Sequence, residues 1–374
     1  MPQEKFHYKS LEEVKQRAAE LGVDLPFAAD THALAHPLTV RNITFPNRLG
    51  IAPMEGADST PEGAPTEYTT RRYVNEAIGG SSVIWFEAIS IVEEGRSSQT
   101  QLLLNRDTLD EFKKMTAAVK EAGLKANGYA PYLIMQANHS GRSSTPGNKP
   151  APMIAYRHPI LEQYRAADDS CIVTDDYLKG LEEKFGEATK LAKEAGFDAI
   201  DIKSCHGYLL AELASAYNRP GEYGGSFENR FRLLKNGIRA AKVYEDDSFM
   251  VTARVGIYDG YAYPWGFGVS PESGMTPDLT EPIRLVRDLH NELGLNMVNL
   301  TMGNPYATTH VTRPFDFGKY EPDEHPFVGL SRMIHGIGAV IQAVPEMTVW
   351  ASAPTYLRAY ADLFSAGAVK QGLC

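Results

Sequence analysis

Hydrophobic and polar positions alternate along this chain in two rhythms, and the two take turns from about residue 49 to the C-terminus. Short apolar runs of strand type fall at 49–54, 82–89, 132–136, 198–203, 249–254, 296–301 and 347–351. Between them lie stretches with apolar residues at helical spacing, at 68–77, 109–122, 175–195, 227–244, 281–293 and 328–343. The clearest helix runs from Asp175 with Leu178, Leu181, Phe185, Ala188, Leu191, Ala192 and Ala195 on one face, and it stops at Gly196. Glycine there suits the left-handed backbone that ends helices. The run that follows, Asp198-Ala199-Ile200-Asp201-Ile202-Lys203, has period two, so Asp201 and Lys203 share one face and Ile200 and Ile202 the other.

Strands alternating with helices imply a parallel sheet, and the absence of any composition break favours one closed domain, a (β/α)8 TIM barrel of α/β class. An open doubly wound sheet is the alternative. Seven strands are counted, and after the helical stretches 356–364 and 366–370 only Gly372-Leu373-Cys374 follow. The expectation is therefore a barrel truncated before its eighth strand. Residues 1–37 form an N-terminal extension with one short helix, from Ser10 to Leu21, in which Ser10 and Glu13 stand at capping-box spacing. Residues 38–374 form the barrel, entered through a small hairpin, 38–45, that turns near Arg41-Asn42.

Composition narrows the function classes. The chain has 374 residues, 43% of them hydrophobic, enough for a sizeable core. A net charge of -10 and a pI near 5.5 argue against nucleic acid or an anionic membrane as partner. The three cysteines, Cys171, Cys205 and Cys374, lack metal-like spacing, so no metal site is expected and a reducing compartment fits. The charged N-terminus has no signal-like apolar core, and no stretch of about 18 apolar residues occurs. A cytoplasmic protein acting on a small molecule is expected, with a homo-oligomer left open.

The chemistry gathers after the 198–203 strand, where Lys203 is followed by Ser204, Cys205, His206 and Tyr208. In a barrel such strand ends carry the catalytic groups. Each residue also has a bland reading: Lys203 or Arg254 in an ion pair with Asp201, His206 as a loop histidine, Tyr208 as a packed aromatic, Cys205 as small filler. An amine at a strand end could alternatively form a Schiff base, which would make the protein a lyase using Lys203 with Tyr208 as acid.

The segments His206-Gly207-Tyr208-Leu209-Leu210 and, after Arg219, Glu222-Tyr223-Gly224-Gly225-Ser226-Phe227-Glu228-Asn229-Arg230 are the most specific in the chain. With Asn47-Arg48, Ala52-Pro53-Met54, Gly79-Gly80, Glu87-Ala88, Gln136, His139-Ser140-Gly141-Arg142 and Arg254, they occur in the order found in the Old Yellow Enzyme family. From Leu38 onward the chain resembles that family of FMN-dependent NAD(P)H:flavin oxidoreductases, with a barrel like that of 2,4-dienoyl-CoA reductase. The resemblance implies an ene-reductase: hydride from NAD(P)H passes through FMN to an electron-poor C=C bond. It places Ala52, Pro53, Met54, Glu55, Ala88, Gln136, Arg254, Ser352 and Ala353 at the FMN, and it makes Tyr208 the proton donor and His206 a ligand of the substrate carbonyl oxygen. An iron-sulfur cluster is implied only for a longer parent chain.

Three departures stand out. Lys203 takes the place of the family's first oxygen-binding histidine. Glu55 stands where a flavin-tuning cysteine or threonine is common. The strand-eight side of the phosphate site is missing, leaving only Ser352 and Ala353 near strand seven. A flavin-binding barrel with little or no turnover is thus a further alternative. The segment 223–230 reads as structural, with Ser226 as a helix cap and Glu228 and Arg230 as braces.

Overall fold

The computed structural model describes residues 3–272, 276–352 and 354–374. Strands β1 (Leu38–Val40) and β2 (Ile43–Phe45) pair antiparallel as the expected hairpin, with Arg41 in the left-handed conformation at its turn. Seven further strands form one parallel sheet in chain order: β3 (Gly50–Ile51), β4 (Val83–Ser90), β5 (Tyr132–Asn138), β6 (Ala199–Ser204), β7 (Met250–Gly256), β8 (Met297–Thr301) and β9 (Thr348–Trp350). A doubly wound sheet would reverse its strand order at a switch point, and here the order never reverses. The sheet curls into a nearly closed barrel with the long helices outside it.

The alternation read for β6 holds. Ile200 and Ile202 belong to the large core shared with the helices, alongside Phe185, Leu178 and Leu181. Ala199 faces the barrel interior and packs in one cluster with Val83, Trp85, Ile134, Met250 and Met297, together with Val40 and Phe45 of the hairpin. An apolar plug thus fills the N-terminal end of the barrel. Higher up, the register aligns Gln136 with Asp201 and Thr252, and Lys203 with Arg254 and Asn299. Polar groups therefore begin one layer above the plug.

Local differences from the sequence reading have local causes. The first sheet strand pairs only over Gly50–Ile51, and the chain leaves the sheet at Ala52-Pro53, where proline has no N–H for a ladder. The helix expected over 227–244 divides into Phe227–Arg230, capped by the Ser226 hydroxyl, and Arg232–Lys242. Arg230 braces the loop as expected, bonding the Ala214 and Gly225 carbonyls and pairing with Glu281 at 2.5 Å.

The first helix, Leu11–Glu20, is capped by the Ser10 hydroxyl oxygen, which accepts the Glu13 N–H, and it packs Val14 and Ala18 against Phe327, Leu330, Ile334, Leu357 and Phe364. This second core joins the N-terminal residues to the last two helices. Between β3 and β9 no ladder is formed among the described residues, and a cavity of about 420 Å³ lies there, lined by Arg48, Ala52, Trp350, Ser352 and Phe364 among others. The Trp350 ring comes so close to Gly50 that a Cβ there would lie 2.8 Å from it, which requires glycine at that position. No helix among the described residues is long and apolar enough to cross a membrane.

Candidate active site

The C-terminal ends of β6 and β7 bring the chemistry together. Lys203 and Arg254 are register partners on adjacent strands, both inward and both buried. Two like charges side by side in a low dielectric repel, and each needs a compensating group. Asp201 below them is not that group in the simple sense of an ion pair. Its carboxylate accepts the indole N–H of Trp85 at 2.7 Å, the Gln136 amide at 2.6 Å and the backbone N–H of Arg254 at 2.5 Å. Burial pushes the Asp201 carboxyl up, and the Gln136 and Trp85 donors pull it back. Asp201 still acts on both cations through the field: the Arg254 charge lowers the Asp201 carboxyl, and the Asp201 and Glu55 charges raise the Lys203 amine.

The Arg254 Nε is buried without a hydrogen-bond partner, and so is the Oδ1 of its register neighbour Asn299. A buried orphan donor beside an orphan acceptor is what the polar edge of a heterocycle could satisfy. Lys203 has its ammonium 3.9 Å from the centre of the Tyr208 ring, a cation–π contact. Burial pushes the Lys203 amine below its ordinary value, with Arg254 acting the same way and Glu55 opposing.

After β6 the chain turns sharply. His206 and Gly207 both have positive φ, 67° and 70°, and Asn304 packs so close to Gly207 that a side chain there would collide. The turn carries His206 to the end of β8 and Tyr208 to the loop that follows it. The His206 ring lies 3.4 Å from the Thr301 hydroxyl at the end of β8. Burial first, then Arg254 and Lys203, hold its imidazole well below the ordinary histidine value, so it is neutral at pH 7. The Tyr208 hydroxyl donates to Glu55 at 3.0 Å and lies 2.6 Å from the Tyr306 hydroxyl. Burial and the Glu55 charge push the Tyr208 phenol well up. Cys205 is buried, with its thiol raised to about 11 by burial, and it works as small filler.

The motif His139-Ser140-Gly141-Arg142 braces this turn from outside. The His139 carbonyl accepts the Leu209 N–H at 3.3 Å, and Arg142 pairs with Glu212 at 2.5 Å. Of the remaining expected residues, Gln136 lies beneath the mouth on Asp201, and Ala88 is its register partner on β4, with a carbonyl that accepts the Gln101 amide. Glu55 turns inward to Tyr208 and Ser97. Pro53 and Met54 lie on the loop leaving β3, Met54 exposed. Ala52 and Ser352 face the cavity between β3 and β9, where the Ser352 hydroxyl is buried and unpartnered. Ala353 lies outside the described residues. The expected set thus divides between the mouth and the gap. Reading the sequence alone missed Tyr306, Asn299, Trp85 and Ser97. Among the described residues no group of three or more His, Cys, Asp and Glu side chains could hold a metal ion.

Cations and proton donors gathered at the C-terminal ends of parallel strands occupy the place where α/β barrels carry their functional groups. Comparison with known proteins makes the class specific. Residues 33–265 match the model of the NADH:flavin oxidoreductase / NADH oxidase family, and the chain belongs to that family. An NADPH dehydrogenase of Bacillus velezensis is 34% identical over 220 residues, 58% of this chain and 61% of that protein. An NADPH dehydrogenase of Clostridium acetobutylicum is 29% identical over 276 residues, covering 73% and 74% of the two chains. The match thus spans about 61% of the length of the Bacillus relative. Among solved structures, a 2-naphthoyl-CoA reductase complexed with 2-naphthoyl-CoA superposes with a TM-score of 0.71 at 18% identity, over 92% of this chain and 49% of that one. An Old Yellow Enzyme homologue from Zymomonas mobilis gives 0.57 at 22% identity over 74% and 75%. At these identities the structures bear on the fold.

Proposed function

We propose that this protein is an FMN-dependent oxidoreductase of ene-reductase type, taking hydride from NAD(P)H and reducing an electron-poor C=C bond of a small molecule in the cytoplasm. The observation that carries the proposal is the buried Arg254 Nε, unpartnered beside the equally unpartnered Asn299 Oδ1, in the same mouth as Lys203, His206 and Tyr208. These orphan groups fit a polar heterocycle edge, and Arg254, Gln136 and Asn299 would hold it, with Ala52, Pro53, Met54 and Ala88 around it and Ser352 toward its phosphate. Bound FMN supplies the hydride chemistry.

The chain's own residues do the rest. A neutral His206 can donate an N–H to a carbonyl oxygen without adding charge, and Lys203 stands beside it as a second donor. Two donors draw electron density toward that oxygen and expose the β-carbon to hydride. Tyr208 then gives its phenolic proton to the α-carbon. The absorbance spectrum of the purified protein tests this reading. A flavin band that bleaches with NAD(P)H and returns with an enone supports it, and a colourless protein that takes up no added FMN overturns it.

A second reading rests on one specific observation: the buried Lys203 amine is held below its ordinary pKa by burial and lies against the Tyr208 ring. A lyase forming a Schiff base at Lys203 would use such an amine. Borohydride trapping of a carbonyl compound on Lys203 supports it, and no adduct excludes it.

A further inference from the structure

Four segments far apart in sequence meet at the Tyr208 hydroxyl. Glu55 comes from the loop after β3, Ser97 from the loop after β4, Tyr208 from the turn after β6 and Tyr306 from the loop after β8. Ser97 donates to Glu55 Oε2 at 2.9 Å, which leaves Oε1 aimed at Tyr208, 3.0 Å away. Tyr306 is 2.6 Å from Tyr208 on the other side, and the residue as a whole is 43% exposed.

A phenol has one proton. While Glu55 is a carboxylate, Tyr208 donates that proton to Glu55, and Tyr306 can only donate to Tyr208. Tyr208 then has nothing to give a substrate carbon. When Glu55 is a carboxylic acid the direction reverses: Glu55 donates to the Tyr208 oxygen, and the Tyr208 O–H is released toward the mouth. We propose that Glu55 is the proton store that recharges Tyr208 in each turnover, a positioning and relay residue acting through Tyr208; this rests on the ene-reductase reading above.

The α-carbon–H bond forms as the Tyr208 O–H bond breaks, leaving a phenolate. The Glu55 O–H bond then breaks and the Tyr208 O–H bond re-forms, leaving a Glu55 carboxylate. Water returns a proton to Glu55 before the next cycle. The electron pair of the new β-carbon–H bond arrives with the hydride. Lys203, 3.9 Å from the Tyr208 ring, faces the transient phenolate and favours it electrostatically. The other titratable groups facing this cluster are Tyr306 and, over the Tyr306 ring, Arg165.

The test separates the two half-reactions in the flavin-loaded protein and adds a readout that needs no flavin. In stopped flow, Glu55→Gln should slow enone-dependent reoxidation by about tenfold or more, and by a clearly larger factor than it slows reduction by NAD(P)H, and Glu55→Asp should recover most of the loss. In protein carrying ring-labelled tyrosine and no flavin, the Tyr208 carbon resonance, assigned with Tyr208→Phe, should titrate late and move to lower pH in Glu55→Gln. Reoxidation unaffected by Glu55→Gln, or an unmoved Tyr208 titration, would overturn the relay. If the labelled tyrosine shifts as expected but no enone reoxidises the wild type, the ene-reductase reading falls and takes the relay's catalytic role with it.

Discussion

The two ends of the barrel are built from the same seven strands and the same alternation, yet they differ in kind. At the N-terminal end Val83, Ile134, Ala199, Met250 and Met297 interlock over the hairpin, and the indole N–H of Trp85 finds its acceptor by reaching up to Asp201. At the C-terminal end, two layers higher, Lys203 and Arg254 lie side by side, and Arg254 Nε and Asn299 Oδ1 find no partner. One end gains stability from burial; the other holds charge against it. Residues that a stable fold would replace are kept where a bound group could use them.

The contrast between the ends breaks first at Trp85, which serves both. Trp85→Ala removes a large side chain from the plug and a donor from buried Asp201, and it should lower unfolding stability by about 4 kcal/mol in urea titration. A loss below about 1 kcal/mol would mean the plug is not the stabilising layer.

Next in size is acid sensitivity around the mouth's braces. His139 is buried, and burial lowers its pKa from 6.5 to about 4. The unfolded chain therefore takes up this proton first as pH falls. Stability should be flat above about pH 6.5 and decline toward pH 4, by up to about 3 kcal/mol from this group, because each tenfold difference in proton affinity between the folded and unfolded chain is worth about 1.4 kcal/mol. His139→Gln should flatten that part of the profile, followed by thermal unfolding across pH.

Tyr208→Phe tests the mouth alone. It should reduce enone-dependent reoxidation about a hundredfold, leave flavin reduction near the wild-type rate and change stability little. A variant equally slow in both halves would place Tyr208 in packing, not in proton delivery.

The smallest effect has the opposite sign to the first. Arg254→Met removes a buried guanidinium that pairs with no carboxylate among the described residues, so the flavin-free protein should gain about 1 kcal/mol while FMN binding weakens by about tenfold or more. Calorimetry on the same samples reads both, and loss of stability without loss of FMN binding would reverse the contrast between the two ends.

Much of this was legible in the sequence because it is local. Glycine stops and period-two runs placed all seven parallel strands within a few residues, and the Lys203-to-Tyr208 segment marked the mouth. What stayed hidden depends on register. The ladder between β4 and β5 shifts between Trp85 and Ala88, which sets where Trp85 meets Asp201, and no pattern in β4 announces that irregularity. Glu55 and Tyr208 are 153 residues apart, and Tyr208 and Tyr306 are 98 apart. Contacts of that kind follow from strand order around a barrel, which a single chain read in order reveals only as alternation. The expected strand at 49–54 was too long because an apolar run does not show where proline takes the chain out of the sheet.

If the orphaned polar groups above the plug form a flavin site, the most direct measurement is the absorbance spectrum of the purified protein through one cycle of NAD(P)H and then enone. The expected result is a yellow protein whose flavin band bleaches and recovers, with FMN released on denaturation. A colourless protein that stays colourless after incubation with FMN would contradict it.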